Sequence, residues 1–175
     1  VVSVVSNPED TVPYRLPETC PSCGEVITRV EGEAAARCTN PQCPAQLMRN
    51  LIHFASRDAM DIDGLGPAAL EQLSAALRVH SPADLYDITA QELETLDRFG
   101  KKSAENLVAA IQKSKENDLS KLLFALGIPH IGAKAAKLLA GAFGNMDALI
   151  AADEEQIAAI DGLRVFQKTL GDRAH

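Results

Sequence analysis

Cys20, Cys23, Cys38 and Cys43 are the only cysteines in 175 residues, and they are spaced C-x2-C-x14-C-x4-C. Two close pairs separated by a loop let a chain fold back and set four thiolates tetrahedrally around one ion. Gly24 after the first pair and Pro41 inside the second supply turns that aim backbone N–H groups at sulfur. The expected chemistry is structural zinc (Zn2+), because four thiolates fill the tetrahedron and leave no position for a catalytic water. Two alternatives use the same residues. A pair of disulfides fits the even count, but Cys20 and Cys23 would close no useful loop, and nothing resembles a signal peptide. Redox work by Cys20-Pro21-Ser22-Cys23 is the other, although a lone C-x-x-C without a surrounding βαβ pattern is weak support for it. His53 is the nearest substitute ligand; it is surplus to the four sulfurs and reads as a histidine on a helix face.

A second set of candidate residues recurs along the chain. Ile62-Asp63-Gly64-Leu65-Gly66 aligns with Leu96-Asp97-Arg98-Phe99-Gly100, with Ile128-Pro129-His130-Ile131-Gly132 and with Ile160-Asp161-Gly162-Leu163-Arg164, at steps of 34, 32 and 32 residues. Beyond the fifth position, apolar residues follow at four, seven and eleven residues: Leu70, Leu73, Leu77; Ala104, Leu107, Ile111; Ala136, Leu139, Phe143. That spacing is one face of a helix. Glycine at the fifth position is expected where a tight turn needs unusual dihedrals, or where a phosphate must come close. The unsatisfied first-turn N–H groups and the helix dipole then favour an anion without any net basic charge.

Lys101 and Lys102 follow Gly100, and Lys134 follows Gly132. A cation in a first turn opposes the dipole at a cost of up to ~1 kcal/mol, so this placement points to an expected anion. The residues expected to meet phosphate in this pattern are Gly64, Gly66, Arg98, Gly100, Lys101, Lys102, Gly132, Lys134 and Gly162. The plainer alternative is that the glycines only close αα-hairpins and the lysines are solvated. The fourth copy departs from the pattern, with Arg164 for glycine, Lys168 at an apolar position and Gly171 for leucine. A loose or displaced final helix with weak phosphate contact is expected there.

The elements that must position these residues are mainly α-helical. The chain has no tryptophan, two tyrosines and five phenylalanines, but many alanines and leucines, which favours helices over sheets. Val1-Val2-Ser3-Val4-Val5 reads as a short β remnant, and Pro8, Pro13 and Pro17 mark a linker. Residues 25–37 fit a small hairpin between the cysteine pairs, and Pro44 suits a first helical position ahead of Leu47, Met48, Leu51, Ile52 and Phe54. The expected segments are 1–14 (end of a domain that begins upstream, and linker), 15–46 (four-cysteine zinc finger) and 47–175 (tandem helical hairpins in four repeats, the last degenerate). A first residue of valine points to a piece of a longer chain. Net charge is −7, which argues against attachment to nucleic acid by bulk positive charge. No apolar run nears the ~18 residues of a membrane span, and a cytoplasmic, reducing setting is expected.

These strings resemble the C-terminal half of bacterial NAD-dependent DNA ligases. Cys20-Pro21-Ser22-Cys23-Gly24, the run from Arg37 through Cys43 to Gln46, and His53-Phe54-Ala55-Ser56-Arg57-Asp58-Ala59-Met60-Asp61-Ile62-Asp63-Gly64-Leu65-Gly66 carry the resemblance, with Leu123-Phe124-Ala125-Leu126-Gly127-Ile128-Pro129-His130-Ile131-Gly132 similarly close. It extends from Val1 to about Leu163, with the tail from Arg164 departing. The resemblance implies a parent enzyme that seals nicks in duplex DNA during replication and repair, using NAD as adenylate donor. It also implies that the phosphate-contacting residues of the hairpins bind DNA, that an adenylation domain and an oligonucleotide-binding barrel (whose end residues 1–14 would be) lie upstream in the same chain, and that a BRCT domain, missing from this sequence, ends the full protein. The family's nucleophilic lysine lies in a K-x-D-G motif that does not occur here; Asp61-Ile62-Asp63-Gly64 has aspartate in the lysine position. No catalytic residue is therefore expected in this segment, and no NAD bound by it. The alternatives are a freestanding zinc and helix-hairpin-helix DNA-binding module of another repair protein, and a protein-binding scaffold.

Overall fold

A computed structural model describes residues 12, 15–29 and 35–163. The strand expected at residues 1–5 and the second helix of the fourth repeat, from Arg164 onward, lie outside the described residues. The chain divides into two compact units, Val1–Ala45 and Gln46–His175.

In the first unit, strands β1 (Ile27–Arg29) and β2 (Ala36–Cys38) pair antiparallel, with Ile27 opposite Cys38 and Arg29 opposite Ala36. Thr19 and Val26 form an additional antiparallel bridge. The ladder brings the two ends of the cysteine-bearing stretch side by side, so the hairpin expected between the cysteine pairs is present.

In the second unit a helical series runs through α1 (Pro44–Ala55, which begins just before the boundary), α2 (Pro67–Ala76), a 3-10 helix (Ala83–Asp87), α3 (Ala90–Glu94), α4 (Lys101–Ser114), α5 (Leu119–Ala125), α6 (Ala133–Phe143), α7 (Met146–Ala151) and α8 (Glu154–Ala158). Each repeat string is a turn of the same build. Leu65 N donates to Ile62 O at 3.3 Å, Phe99 N to Leu96 O at 3.3 Å, Ile131 N to Ile128 O at 3.0 Å and Leu163 N to Ile160 O at 3.2 Å. In every copy the third residue takes a positive φ: Gly64 (80°), Arg98 (69°), His130 (69°) and Gly162 (94°). A β-turn with positive φ at its third residue reverses the chain, so the next residue can open a helix antiparallel to the one before. Helices α2, α4 and α6 follow the first three turns directly.

The dihedral expectation at the fifth position needs correcting. Gly66, Gly100 and Gly132 have φ of −79°, −90° and −82°, ordinary extended backbone, and the left-handed residue sits two positions earlier. Reversal is accomplished at the third residue of each turn, so the fifth glycine is not there for its φ.

The helical faces read from the sequence form two cores. Leu51, Phe54, Leu70, Leu73, Leu85, Leu93, Ala104, Leu107 and Ile111 bury together with Ala125, uniting the first two hairpins. Leu123, Ala135, Ala136, Leu139 and Leu163 make a second core for the third and fourth, with Ile157 and Ile160 packed against it. Helix α5 contributes to both cores, with Ala125 in one and Leu123 in the other.

Candidate metal centre and nucleic-acid interface

The four cysteines converge. Their sulfur atoms all lie within 4.8 Å of one another, with Cys20 Sγ 3.8 Å from Cys43 Sγ and Cys23 Sγ 3.5 Å from Cys38 Sγ. A disulfide needs about 2.05 Å between sulfurs; all four cysteines are free thiols. Four thiolates at about 2.3 Å from a tetrahedral zinc stand about 3.8 Å apart. The donor set and its spacing therefore fit zinc.

Two knuckles hold this geometry. Cys20 N donates to Glu25 O at 2.7 Å and Gly24 N to Cys20 O at 2.8 Å, closing the first pair into a tight loop. Around Pro41, Cys43 N donates to Asn40 O at 3.1 Å and Gln42 N to Asn40 Oδ1 at 2.9 Å. The thiols are not equivalent. Backbone N–H groups of Cys23 and Ser22 hold the Cys20 thiol below its usual value. The Cys23 thiol receives a backbone hydrogen bond from Glu25 that lowers it, but desolvation and the Cys38 and Cys20 side chains outweigh this and push it up to about 11. The Cys20 proton is therefore easier to remove than the Cys23 proton, and a divalent cation would offset the repulsion between the thiolates.

The hairpin residues form a second pattern, visible in how the helices begin. Helix α3 is capped by Thr89 in a reciprocal capping box with Glu92. Asp118 caps α5 through Lys121 N at 3.0 Å, Asn145 caps α7 through Ala148 N at 2.8 Å, and Asp153 caps α8 through Gln156 N at 2.8 Å. Helices α2, α4 and α6 instead start from Gly66, Gly100 and Gly132, and no side chain caps any of them. Their first-turn N–H groups have no intrahelical acceptor by construction. None of the three has an acid in its first turn. A Cβ placed on any of these three glycines would meet nothing within 4 Å, so the space beside each glycine is open.

Lys101, Lys102, Lys134, Arg98, Gly64 and Gly162 are all exposed at or beside these turns. The copies are unequal. Pro67 at the start of α2 removes one N–H, and no lysine follows Gly66, whereas α4 opens with two lysines and α6 has one in its first turn. Gly64 and Gly162 are placed for packing as well as turning: their Cα faces lie against Leu107 and Leu138 respectively. Nothing in the residue types of Arg98 and His130 signals their left-handed backbone. Glycine in the matching place of the other two copies was the available signal. His53 has a partner of its own: its Nε2 lies 2.8 Å from Phe124 O.

A cysteine knuckle that fits zinc, joined to a series of helix-hairpin-helix units, defines a zinc-finger and helix-hairpin-helix protein. Comparison with known proteins agrees. Residues 19–45 match the family model of the NAD-dependent DNA ligase C4 zinc finger domain. Residues 56–113 match a SAM-like helix-hairpin-helix tandem and residues 121–164 a helix-hairpin-helix motif. The chain is 54% identical over 154 residues to a DNA ligase of Levilactobacillus brevis, covering 88% of this chain and 23% of that protein. It is 51% identical over 160 residues to a DNA ligase of Latilactobacillus sakei and 50% identical over 159 residues to one of Lysinibacillus sphaericus, covering 91% of this chain and 24% of each relative. The chain thus carries the C4 zinc finger of NAD-dependent DNA ligases followed by helix-hairpin-helix domains, and it spans about a quarter of the length of the curated relatives it matches. Among the described residues, no helix is long and apolar enough to cross a membrane.

Proposed function

We propose that this chain is the DNA-binding portion of an NAD-dependent DNA ligase that seals nicks in duplex DNA. Cys20, Cys23, Cys38 and Cys43 hold a structural zinc, whose binding energy folds a module with almost no apolar core of its own. The hairpins grip the duplex through backbone phosphates. First-turn amides of α4 and α6 point at a phosphate oxygen, the helix dipoles favour its charge, and Lys101, Lys102 and Lys134 add mobile cations. The Arg98 turn and the Gly64, Gly66 and Gly162 loops line the same backbone. Such contacts position a protein on a duplex and carry no sequence information.

The observation that carries this reading is the division of the helix starts: α3, α5, α7 and α8 are capped by their own side chains, whereas the helices that follow hairpin glycines are left open. A side-chain cap in place of glycine gains only about a few tenths of a kcal/mol, but three hairpin starts in succession forgo it, which suits an external acceptor. Adenylation, with its NAD, belongs to upstream domains of the parent protein, since K-x-D-G is absent here. The purified chain is expected neither to take up adenylate nor to ligate. Fluorescence anisotropy with nicked duplex tests the DNA reading: affinity should be independent of base sequence and fall as salt rises. No binding at ~50 mM salt, where phosphate contacts are strong, would sink it.

A further inference from the structure

His53 ties the first hairpin to the third. It sits in the last turn of α1, half-buried, and its Nε2 lies 2.8 Å from the carbonyl oxygen of Phe124 in the last turn of α5. A carbonyl oxygen only accepts, so Nε2 carries the hydrogen. The imidazole also meets the Phe124 ring edge-on, with centroids 5.0 Å apart. Gly127, at φ +62°, brings its Cα against the same imidazole; a Cβ there would stand 3.5 Å from His53 Cδ2. The histidine is held in turn from its own side, because its carbonyl accepts from Ser56 N at 3.1 Å and Ser56 Oγ at 2.7 Å. The other end of α5 has its own tie to the same segment: Asn117 Nδ2, just before the helix, donates to Met60 O at 2.8 Å.

Phe124 O does not need His53 for satisfaction, since it already accepts from Gly127 N at 3.1 Å. The imidazole is therefore a brace across two helical ends rather than a cap for an orphaned carbonyl. Its effect falls on what lies just beyond Gly127, the turn from Ile128 to Gly132 and the open start of α6. The second hairpin shares its core with α1, whereas the third lies mostly in the other core with α8 and lends only Leu122, Phe124 and Ala125 of α5 to the first. We infer that His53 is a positioning residue that fixes the third hairpin relative to the first two, and so sets the spacing between the open starts of α4 and α6.

The consequence for DNA rests on the reading of those starts as phosphate grips; the geometric claim does not. Two rigidly spaced grips engage one duplex with less ordering cost than two that move independently.

The test separates the two. Spin labels attached through p-acetylphenylalanine at the exposed positions Glu105 and Lys137, on α4 and α6, leave the cysteines untouched and report the spacing as a distance distribution. In the zinc-loaded protein the distribution should be narrow. His53→Leu keeps apolar volume but removes the donor, and should broaden or shift it; His53→Gln, which can place an amide N–H near Nε2, should restore it. Binding to a nicked duplex long enough for both grips should weaken roughly three- to tenfold in His53→Leu, the range expected for one lost preorganising hydrogen bond, and recover in His53→Gln. Should His53→Leu fail to fold, Gly127→Ala strains the left-handed backbone at φ +62° beside the imidazole and should move the distribution. A distribution unchanged in every variant that folds overturns the inference. Absence of DNA binding by the unsubstituted protein would overturn the phosphate reading and leave the distance measurement to decide the brace.

Discussion

Gly162 lies flat against Leu138: a Cβ built on the glycine would stand 3.0 Å from Leu138 Cδ1. Gly64 has the same relation, more loosely, to Leu107, at 3.8 Å. In both pairs, the turn of one hairpin packs on the second helix of its tandem neighbour. Glycines of the third position are thus structural in a way that those of the fifth are not, and the two classes should respond oppositely to substitution.

Gly162→Ala combines left-handed strain at φ +94° with a contact at 3.0 Å and should destabilise the second unit by ~2 kcal/mol. Gly64→Ala carries the strain but an ordinary contact and should cost ~1–2 kcal/mol. Thermal melts at matched zinc content rank the two. Equal melting temperatures would mean that the turns relax freely.

Gly100→Asp and Gly132→Asp should separate stability from binding. The extended φ of −90° and −82° suits an aspartate cap, and the space beside each glycine is open. Each substitution should raise stability by a few tenths of a kcal/mol. Each should also weaken duplex binding by about tenfold or more, because a carboxylate then occupies the amides and repels phosphate. Stability up with affinity unchanged would refute phosphate binding at these helix starts.

Cys20→Ser or Cys38→Ser should abolish zinc binding, read by metal analysis, and unfold the hairpin of β1 and β2. Helical circular dichroism should survive, since the second unit has cores made without any cysteine. A strong chelator should reproduce the same split. Loss of the helices together with the metal would show that the zinc also supports the repeats.

Salt titration should give a log–log slope shallower than that of a basic-patch binder of equal affinity. Each lysine-neutralised phosphate contributes roughly −0.9 to the slope on duplex DNA, whereas amide contacts add none. Lys102→Ala should therefore reduce both slope and affinity, for every duplex sequence alike. An altered sequence preference would mean that the loop reads bases.

Asp118 supplies a pH test. Hydrogen bonds from the Ser120 side chain, then from Lys121 N, hold its carboxyl below the ordinary 3.8. A depressed folded-state value makes its contribution full above the unfolded value and progressively lost as pH falls through the folded one. Melting temperature should therefore drop on acidification below about 4. Asp118→Asn keeps a cap but cannot titrate, and should flatten that part of the profile.

Much of this architecture is legible in the residues because its signals are local. Cysteine spacing marks the metal-binding pocket, and the repeated apolar positions mark α2, α4 and α6, whose starts fall one residue past the aligned glycines. What is not legible is either backbone state or distance. Arg98 and His130 adopt positive φ although neither residue type demands it; the turn imposes what their side chains merely tolerate. For the same reason the fifth-position glycine invites a dihedral explanation that belongs to its neighbour. The His53 to Phe124 bond spans 71 residues, and no periodicity reports such a pairing.

Helix α5 is seven residues long and lends Leu123 to one core and Ala125 to the other. Neither half of the repeat array can claim it. Dividing the chain before Leu119 would strip the first half of a packing surface, and dividing it after Ala125 would do the same to the second. The array should therefore melt in one cooperative transition, unlike solenoids whose repeats fray one at a time from their ends.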